Sequence, residues 1–358
     1  MAPGPHSPAD LKRLAPVREI ARRWRARTGG RSTRDPDRRT LLACSGGADS
    51  SALVLALASA SPDLLVGHVV HDMRPPAEAR ADADAVADLA RRVGLPHAEG
   101  AVHAREAGGN LEAQSRRLRY LRLEEMARQH RCRFIATAHH ADDQLETLLM
   151  RLMRGAGPRG LIGVAPRRGA GVAGVAIVRP MLGVSRADAE EICAAAGWRW
   201  VLDPTNADPG RLRSALRERV IPVLQELAPG VERRASRSAD LLRDAAGAVW
   251  DRADELVALG RPDLPAPIHE YRWTRVSLRG ERALVLGEVF RTAYRLLHGE
   301  AGLDRRTGGL IDQTVRAVRS RGTDPKTFRW GPVRIDVTAH DVRATRNATE
   351  ETHGDRDG

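Results

Sequence analysis

The segment Ser45-Gly46-Gly47-Ala48-Asp49-Ser50 joins two glycines to hydroxyl and carboxylate side chains. It follows the apolar run Leu41–Cys44, which predicts a buried strand, and precedes the helix-like run 51–57. Backbone N–H groups and the positive end of the dipole at such a helix start attract phosphate oxygens, and glycine lets the backbone approach the anion. No Lys follows the glycines, so a divalent cation must help to offset the phosphate charge, with Asp49 as its candidate ligand. The pattern favours a phosphate-binding loop over a plain Gly-Gly turn with a capped helix.

A second polar cluster, residues 138–147 (AHHADDQLET), follows the apolar run 134–138. Asp143 and Glu146 are three residues apart and share one face of the predicted helix. Carboxylates beside imidazoles can bind a metal, hold a cationic substrate or transfer protons. The alternative is structural, with Asp142 capping the helix and His139 hydrogen-bonded in the core. The concentration of polar residues at one strand end favours function.

Three weaker motifs accompany these clusters. In the run 110–120, Arg116 and Arg119 lie one helical turn apart and can both face a phosphate, while Tyr120 is expected to stack on a base or pack in the core. The stretch 68–75 places His68, His71 and Arg74 at the predicted rim of the sheet, which is weak evidence for a metal site. The run 151–163 is cationic and glycine-rich. It either flanks the pocket expected beside the carboxylate cluster at 138–147 or forms a solvated loop.

The order of apolar and amphipathic segments predicts an α/β fold. Strands are predicted at 40–44, 64–70, 98–102, 134–138 and 175–178, and helices near 50–60, 77–93, 111–130, 142–154 and 186–196. This alternation implies a doubly wound, mostly parallel sheet that binds ligands at the carboxyl ends of its strands. The glycine-rich stretch 155–174 is expected to be mobile. Beyond it we predict helices over 213–227 and 231–256, followed by a small C-terminal α+β segment with helices near 282–297 and 307–320 and strands at 327–330 and 333–337.

These patterns divide the chain into five segments. They are a basic N-terminal helix and linker (1–39), a catalytic domain (40–210), a helical region (211–261), a small C-terminal domain (262–345) and a disordered tail (346–358).

Composition limits the class of protein. The formal net charge is +12, and residues 1–39 hold eleven Lys or Arg against four Asp or Glu, which favours a polyanionic partner such as RNA. An Arg-rich, Lys-poor composition is also typical of GC-rich genomes, so charge alone leaves this open. The cysteines, Cys44, Cys132 and Cys193, are far apart, as expected in a reducing cytoplasm. No apolar run approaches the ~20 residues of a membrane span.

Taken together, the motifs resemble those of bacterial tRNA(Ile)-lysidine synthetases. The loop at 45–50 resembles the pyrophosphate loop of enzymes that split ATP between its α and β phosphates. The matching blocks are SGGADS (45–50), HVVHDMRP (68–75), NLEAQSRRLRY (110–120), ATAHHADDQLETLLMRLMRGAGPRGLIG (136–163), RPML (179–182), DPTN (203–206) and RSALRERVIP (213–222). The close match covers roughly residues 40–225.

The resemblance implies a ligase that forms a C–N bond. ATP would adenylate the C2 oxygen of the wobble cytidine in a tRNA(Ile) with a CAU anticodon, and the ε-amine of L-lysine would then displace AMP. The loop Ser45–Ser50 would hold pyrophosphate, and Asp49 would bind Mg²⁺. Asp143 and Glu146 would hold lysine, while His139 and Arg116 would border the adenylated cytosine. The N-terminal helix and the helices after 211 would bind the tRNA backbone; the oligomeric state stays open, with a homodimer as one alternative.

Three other interpretations have distinguishing features. A tRNA thiolase would share the loop, but thiolases that carry sulfur on the protein need suitably placed cysteines. A metal phosphohydrolase would use the histidines and would not need the loop. A non-catalytic RNA-binding protein would not need intact Asp49, Asp143 and Glu146.

Overall fold

The chain folds into two compact units, one up to Leu242 and one from Arg243. The computed structural model describes residues 8–29, 38–72, 75–103, 111–171, 174–201, 212–261, 269–299 and 305–346.

The strands of the first unit are Thr40–Ala43 (β1), Leu64–His71 (β2), His97–Val102 (β3), Phe134–Ala136 (β4), Arg167–Gly169 (β5) and Ala176–Val178 (β6). Its helices are Pro8–Leu11 (α1), Ala15–Thr28 (α2), Ala48–Ala58 (α3), Pro76–Arg92 (α4), Leu111–Gln129 (α5), Ala141–Leu152 (α6), Pro158–Leu161 (α7), Arg186–Ala195 (α8), Leu212–Ala215 (α9) and Ile221–Leu227 (α10). A 3-10 helix occupies Pro180–Gly183, a π-helical turn occupies Leu216–Val220, and the long helix Val231–Leu259 (α11) runs from the first unit into the second.

These strands form one six-stranded sheet in the order β3-β2-β1-β4-β6-β5. Every neighbouring pair is parallel except β5 with β6. The chain steps from β1 through β2 to β3 in one direction, and β4 and β6 continue from β1 in the other. A crevice therefore opens between the carboxyl ends of β1 and β4, where doubly wound folds bind ligands. The predicted doubly wound, mostly parallel sheet is confirmed.

Alternate residues of the strands point to opposite faces of the sheet, and both faces are covered. Leu42 and Val66 join the core formed with α2, α3, α4 and α8, whereas Leu41, Leu65 and Ile135 join the core formed with α5. A sheet buried on both faces explains why its strands read as continuous apolar runs.

The N-terminal helix α2 packs in this core. Val17, Ile20 and Trp24 on its inner face are buried, and the indole N–H of Trp24 donates to Thr40 Oγ1 over 3.2 Å. On the outer face, Arg22 and Arg23 both pair with Glu19, and these guanidiniums lower the pKa of that carboxyl to about 2. The structure thus differs from the predicted division at residue 39, because α2 belongs to the core of the sheet domain.

The glycine-rich stretch after α6 is held by side chains of α6, contrary to the expected mobility. The guanidinium of Arg151 donates to the carbonyl oxygens of Gly160 (2.5 Å) and Gly163 (2.8 Å), and Gln144 Oε1 accepts from Val164 N over 2.6 Å. Gly163 has a φ of +67°, and a Cβ there would come within 2.5 Å of Gln144. Glycine therefore allows a close approach at this position and does not simply loosen the chain.

The second unit is a small α+β structure, as predicted. Its strands Glu270–Thr274 (β7), Lys326–Trp330 (β8), Val333–Val337 (β9) and Asp341–Arg346 (β10) form an antiparallel sheet in the order β7-β10-β9-β8. Its helices are Arg275–Arg279 (α12), Ala283–His298 (α13) and Arg305–Arg319 (α14). Trp273, Phe290 and Trp330 meet edge to face in its core. Strands β7 and β10 were not predicted. None of the described helices of the chain combines the length and apolar character that a membrane span needs.

Replacing Trp24 by Ala should destabilise the sheet domain by about 3–5 kcal/mol, because a fully buried indole is removed. Arg22→Ala on the same helix is the matched control, since its side chain is 66% exposed and surface ion pairs contribute about 1 kcal/mol or less. Urea unfolding followed by far-ultraviolet circular dichroism measures both. Equal, small effects would show that α2 is only an appended arm.

Candidate functional site

The phosphate loop is shaped by Ser50 and by one glycine. Cys44 N donates to Gly67 O and continues the β1–β2 pairing, and Gly46 then turns the chain with a φ of +89°. Ser50 Oγ accepts from Ser45 N over 3.1 Å and donates to Gly47 O over 3.1 Å. The buried Ser50 hydroxyl therefore holds the loop closed, while Ser45 is exposed. Of the two serine hydroxyls in the predicted loop, only that of Ser45 is accessible to a phosphate.

The start of α3 faces the same crevice. Gly47 precedes the helix without any side-chain cap, so the first backbone N–H groups of α3 have no side-chain acceptor there. Asp49 lies in the first turn of α3, and its Oδ1 is buried and has no hydrogen-bond partner. These donors are therefore available to bind an anion beside a carboxylate, and phosphate binding by the loop stays a prediction.

A charged histidine connects this loop to the second cluster. The ring of His140 lies 3.5 Å from Asp49 Oδ2 through Nε2, 3.2 Å from Asp142 Oδ2 through Nδ1 and 3.6 Å from Asp143 Oδ2 through Nε2. Burial alone would lower the pKa of His140, but hydrogen bonds and charges from the three carboxylates raise it to about 10. His140 is therefore an imidazolium at neutral pH. Sequence reasoning did not assign it a role, although the adjacent histidines of HHADD were a signal.

The neighbouring His139 has the opposite charge state. Its Nδ1 lies 3.0 Å from Thr137 Oγ1, and its Nε2 lies 3.3 Å from Arg116 Nη2. Burial, and then the nearby guanidiniums of Arg179 and Arg116, lower the pKa of His139 to about 3. It is a neutral hydrogen-bonding group, and the structure brings it together with Arg116 as predicted. Arg119, expected beside Arg116, is more buried, and burial lowers its pKa.

The two predicted carboxylates of α6 meet arginines from the helical region. Arg213 binds Glu146 Oε2 through Nε (2.5 Å) and Asp143 Oδ1 through Nη2 (2.6 Å), and Arg217 Nε binds Glu146 Oε1 over 2.8 Å. Glu146 is 1% exposed. Although burial acts to raise it, the neighbouring imidazoles and Arg213 lower the pKa of Asp143. This pair of carboxylates thus forms a largely buried site that holds two guanidinium cations, and these arginines lie four residues apart in the RSALRER motif.

Other candidates have structural roles. Asp142 Oδ2 accepts from Arg186 N (2.9 Å) and Oδ1 from Gln225 Nε2 (3.3 Å), which ties α6 to α8 and α10. His68 is buried, its Nδ1 lies 2.9 Å from Cys44 O, and burial lowers its pKa, so it supports β1 and does not stand at the rim. Arg74 and residues 203–206 fall outside the described residues.

The three cysteines are free and buried, and burial raises the pKa of each thiol, to about 11 for Cys132 and about 12 for Cys193. Such thiols are inert near neutral pH, which disfavours chemistry on a protein-bound sulfur. Within the described residues, no three His, Cys, Asp or Glu side chains are placed to hold a metal ion together. The protonated His140 cannot itself ligate a metal, which disfavours a histidine-based metal centre.

Residues 19–224 match the family of PP-loop domains. A tRNA(Ile)-lysidine synthase from Salinispora tropica is 37% identical over 292 residues, which are 79% of this chain and 84% of that protein. The protein of the same name from Methylobacterium nodulans is 44% identical over 226 residues, 62% of this chain and 65% of that one. The chain spans less than two thirds of several such relatives, down to 50% for Geobacter sulfurreducens and 39% for Deinococcus deserti.

Among solved structures, the U34-tRNA thiolase NcsA from Methanococcus maripaludis is similar, with a TM-score of 0.50 and 16% identity over 64% of this chain and 79% of that one. A likeness at this identity concerns the fold alone.

His140→Asn should destabilise the apoprotein by about 3 kcal/mol or more, because three neighbouring carboxylates lose their shared cation. His139→Asn is the control and should cost about 1 kcal/mol, since it removes only hydrogen bonds of a neutral ring. Urea unfolding at pH 7 without nucleotide measures both. Similar losses for the two variants would contradict the charge assignment of His140.

Proposed function

Because the chain belongs to the PP-loop domain family and to the tRNA(Ile)-lysidine synthases within it, we propose that it ligates L-lysine to a tRNA(Ile) with a CAU anticodon. The ε-amine would join C2 of the wobble cytidine, and ATP would be cleaved to AMP and pyrophosphate. One observation carries the proposal: His140 places the phosphate loop, through Asp49, directly beside the buried cation site of Asp143 and Glu146. An adenylating ligase needs these two sites to adjoin.

The first step is attack of the cytidine C2 oxygen on the α-phosphorus of ATP, with pyrophosphate as the leaving group. The N–H groups at the start of α3 and the Ser45 hydroxyl would bind the pyrophosphate oxygens as their charge grows. Asp49 suits a Mg²⁺ ion shared with the phosphates, because its Oδ1 is buried without a partner and Mg²⁺ needs only one or two protein carboxylates. When bound, the ion would neutralise phosphate charge.

The cytosine must leave its stack to reach this crevice. Arg116 and the neutral His139 would border the adenylated base, with Arg116 directed at the phosphate and His139 donating or accepting a hydrogen bond. Since its pKa is about 3, His139 would position the base and would not serve as the proton acceptor.

In the second step the ε-amine of lysine forms the C2–N bond, and the bond from C2 to the adenylate oxygen breaks, releasing AMP. Asp143 and Glu146 would bind the lysine cation after Arg213 and Arg217 withdraw, and one of the carboxylates would take the proton lost by the amine. The lysine cation would thus take the place of the arginine guanidiniums as the partner of these carboxylates.

The predicted partners also include the tRNA backbone, bound by the basic helices after 211. On α2 the expectation is weakened, because Arg22 and Arg23 both pair with Glu19 and Arg23 also pairs with Asp240. A cytoplasmic location agrees with three free, buried thiols. The homodimer stays a prediction, which sedimentation velocity would measure.

Purified protein should release pyrophosphate over many turnovers only when ATP, lysine and tRNA(Ile) with a CAU anticodon are all present, because adenylation without lysine stops after a single release per active site. U at the wobble position should abolish turnover. The product tRNA should gain the mass of lysine minus water. Turnover that does not depend on lysine would indicate a different reaction catalysed on this fold. Binding of tRNA without turnover would indicate an RNA-binding protein.

Glu146→Gln should raise KM for lysine by at least about tenfold while leaving KM for ATP nearly unchanged, since a charge-assisted hydrogen bond is lost. Arg217→Gln removes the guanidinium that competes for the same carboxylate and should lower KM for lysine or leave it unchanged. Initial rates against lysine concentration measure both, with thermal melting as a check on folding. A parallel rise of KM in the two variants would mean that this ion pair is only structural.

A further inference from the structure

Two aromatic rings of the first unit, Tyr120 on α5 and Phe134 on β4, each have a pair of guanidinium groups over them. Above Tyr120 lie Arg116, with Cζ 5.6 Å from the ring centroid, and Arg168, with Cζ 5.2 Å away. The ring of Phe134 has Arg133 at 5.9 Å and Arg167 at 5.5 Å. Contact with an aromatic face restrains an arginine without using its hydrogen-bond donors.

The edge strand β5 contributes one arginine to each pair. Arg167 and Arg168 are consecutive and exposed, and successive side chains of a strand point to opposite faces. Arg168 lies with Tyr120 on the α5 side of the sheet, and Arg167 lies with Phe134 on the α2 side. The four arginines therefore straddle the edge of the sheet. We call them the edge arginines: Arg116, Arg133, Arg167 and Arg168.

Two open cavities lie along this edge. One of about 540 Å³ is lined by Arg116, Tyr120, Arg168 and Arg179, and the other, of about 470 Å³, by Arg133, Phe134, Arg167 and Arg168. Arg168 lines both cavities. Arg179 is 6% exposed, donates to Ala165 O, and keeps a buried Nε without a hydrogen-bond partner.

The charge along this edge is poorly compensated. Among the described residues, Arg116, Arg167 and Arg168 form no ion pair; Arg167 donates to Arg27 O and Arg168 to Gly169 O, both over 3.1 Å. The one carboxylate that lines the first cavity, Glu124, is 4% exposed and accepts from Gly171 N. Since a guanidinium has five N–H donors, each of these arginines retains donors for an external anion.

The geometry points to a phosphate track for RNA. We propose that the edge arginines bind successive backbone phosphates of the RNA strand that leads away from the reacting cytidine. The track begins at the candidate site, because Arg116 also contacts His139. It then passes around β5 to the amino end of β4, where Arg133 stands. An extended row of forked donors on both sides of an edge fits a polyanionic strand better than a single compact anion. This inference rests on the proposed function for the identity of the RNA.

The test compares two double variants of the full chain. Arg167→Gln with Arg168→Gln removes the centre of the track. The control, Arg80→Gln with Arg91→Gln, removes the same charge from α4, which packs beside β2 and β3 at the opposite edge; both of its arginines are exposed. Fluorescence anisotropy with a labelled tRNA(Ile) transcript gives Kd from 50 to 300 mM KCl.

The track variant should bind at least about tenfold more weakly at low salt, and the slope of log Kd against log salt should fall by about 1.5, which corresponds to two lost phosphate contacts. The control should keep the slope of the wild type. Arg167→Lys with Arg168→Lys retains the charge and should restore most of the slope. Equal slopes for the Gln variant and the control, with both proteins folded by thermal melting, would overturn the proposal.

Lysidine formation by the wild type is measured in parallel. If it occurs and the slopes of the two Gln variants are equal, the track is wrong and the proposed function stands. If it does not occur but the track variant loses the salt slope selectively, the RNA track stands and the proposed function falls.

Discussion

The site depends on one buried imidazolium. The loop after β1 and the helix after β4 are linked by His140, which lies between Asp49, Asp142 and Asp143. Three neighbouring carboxylates without a cation would be strongly destabilising, and a shared cation offsets that cost. The same contact positions Asp49 against the phosphate loop and Asp143 against the cation site. The two halves of the proposed reaction therefore have a common support.

A second constraint follows from the burial of Glu146. A carboxylate that is 1% exposed cannot lose its partners without becoming an uncompensated buried charge. Arg213 and Arg217 supply that compensation from flexible side chains that are themselves more than one third exposed. In the proposed reaction an exchange of cations would keep the charge balanced throughout, so a substrate cation could enter where an empty site would not be stable. The helical region is thereby coupled to the chemistry of the sheet domain.

The sequence predicted most of the sheet because strands buried on both faces read as apolar runs, and β1, β2, β4 and β6 all do. Strand β5 contains Arg167, Arg168 and Gly169 and has no apolar residue, so only its pairing with β6 reveals it. The spacing of Ile20 and Trp24 predicted an amphipathic helix, but it did not indicate which surface of the protein this helix packs against. The charge of His140 could be predicted only in part, because Asp142 and Asp143 lie beside it in the sequence but the contribution of Asp49 depends on the sheet topology. The role of a residue thus cannot be predicted from the local sequence pattern when it depends on partners that are distant in the sequence.

The arginine content of the sequence likewise does not show which arginines can bind RNA. Arg38 is buried against the face of Trp24, and Arg275 in the second unit donates to the carbonyl oxygens of Ala317, Val318 and Ser320 at the end of α14. Both side chains are buried, so their N–H donors are not available to contact a polyanion. Only guanidiniums that combine exposure with the absence of a carboxylate partner can release counterions from RNA. The net charge of +12 therefore overestimates how many arginines can bind RNA. The position of the unpaired arginines along β5 is a more specific indicator of an RNA-binding surface.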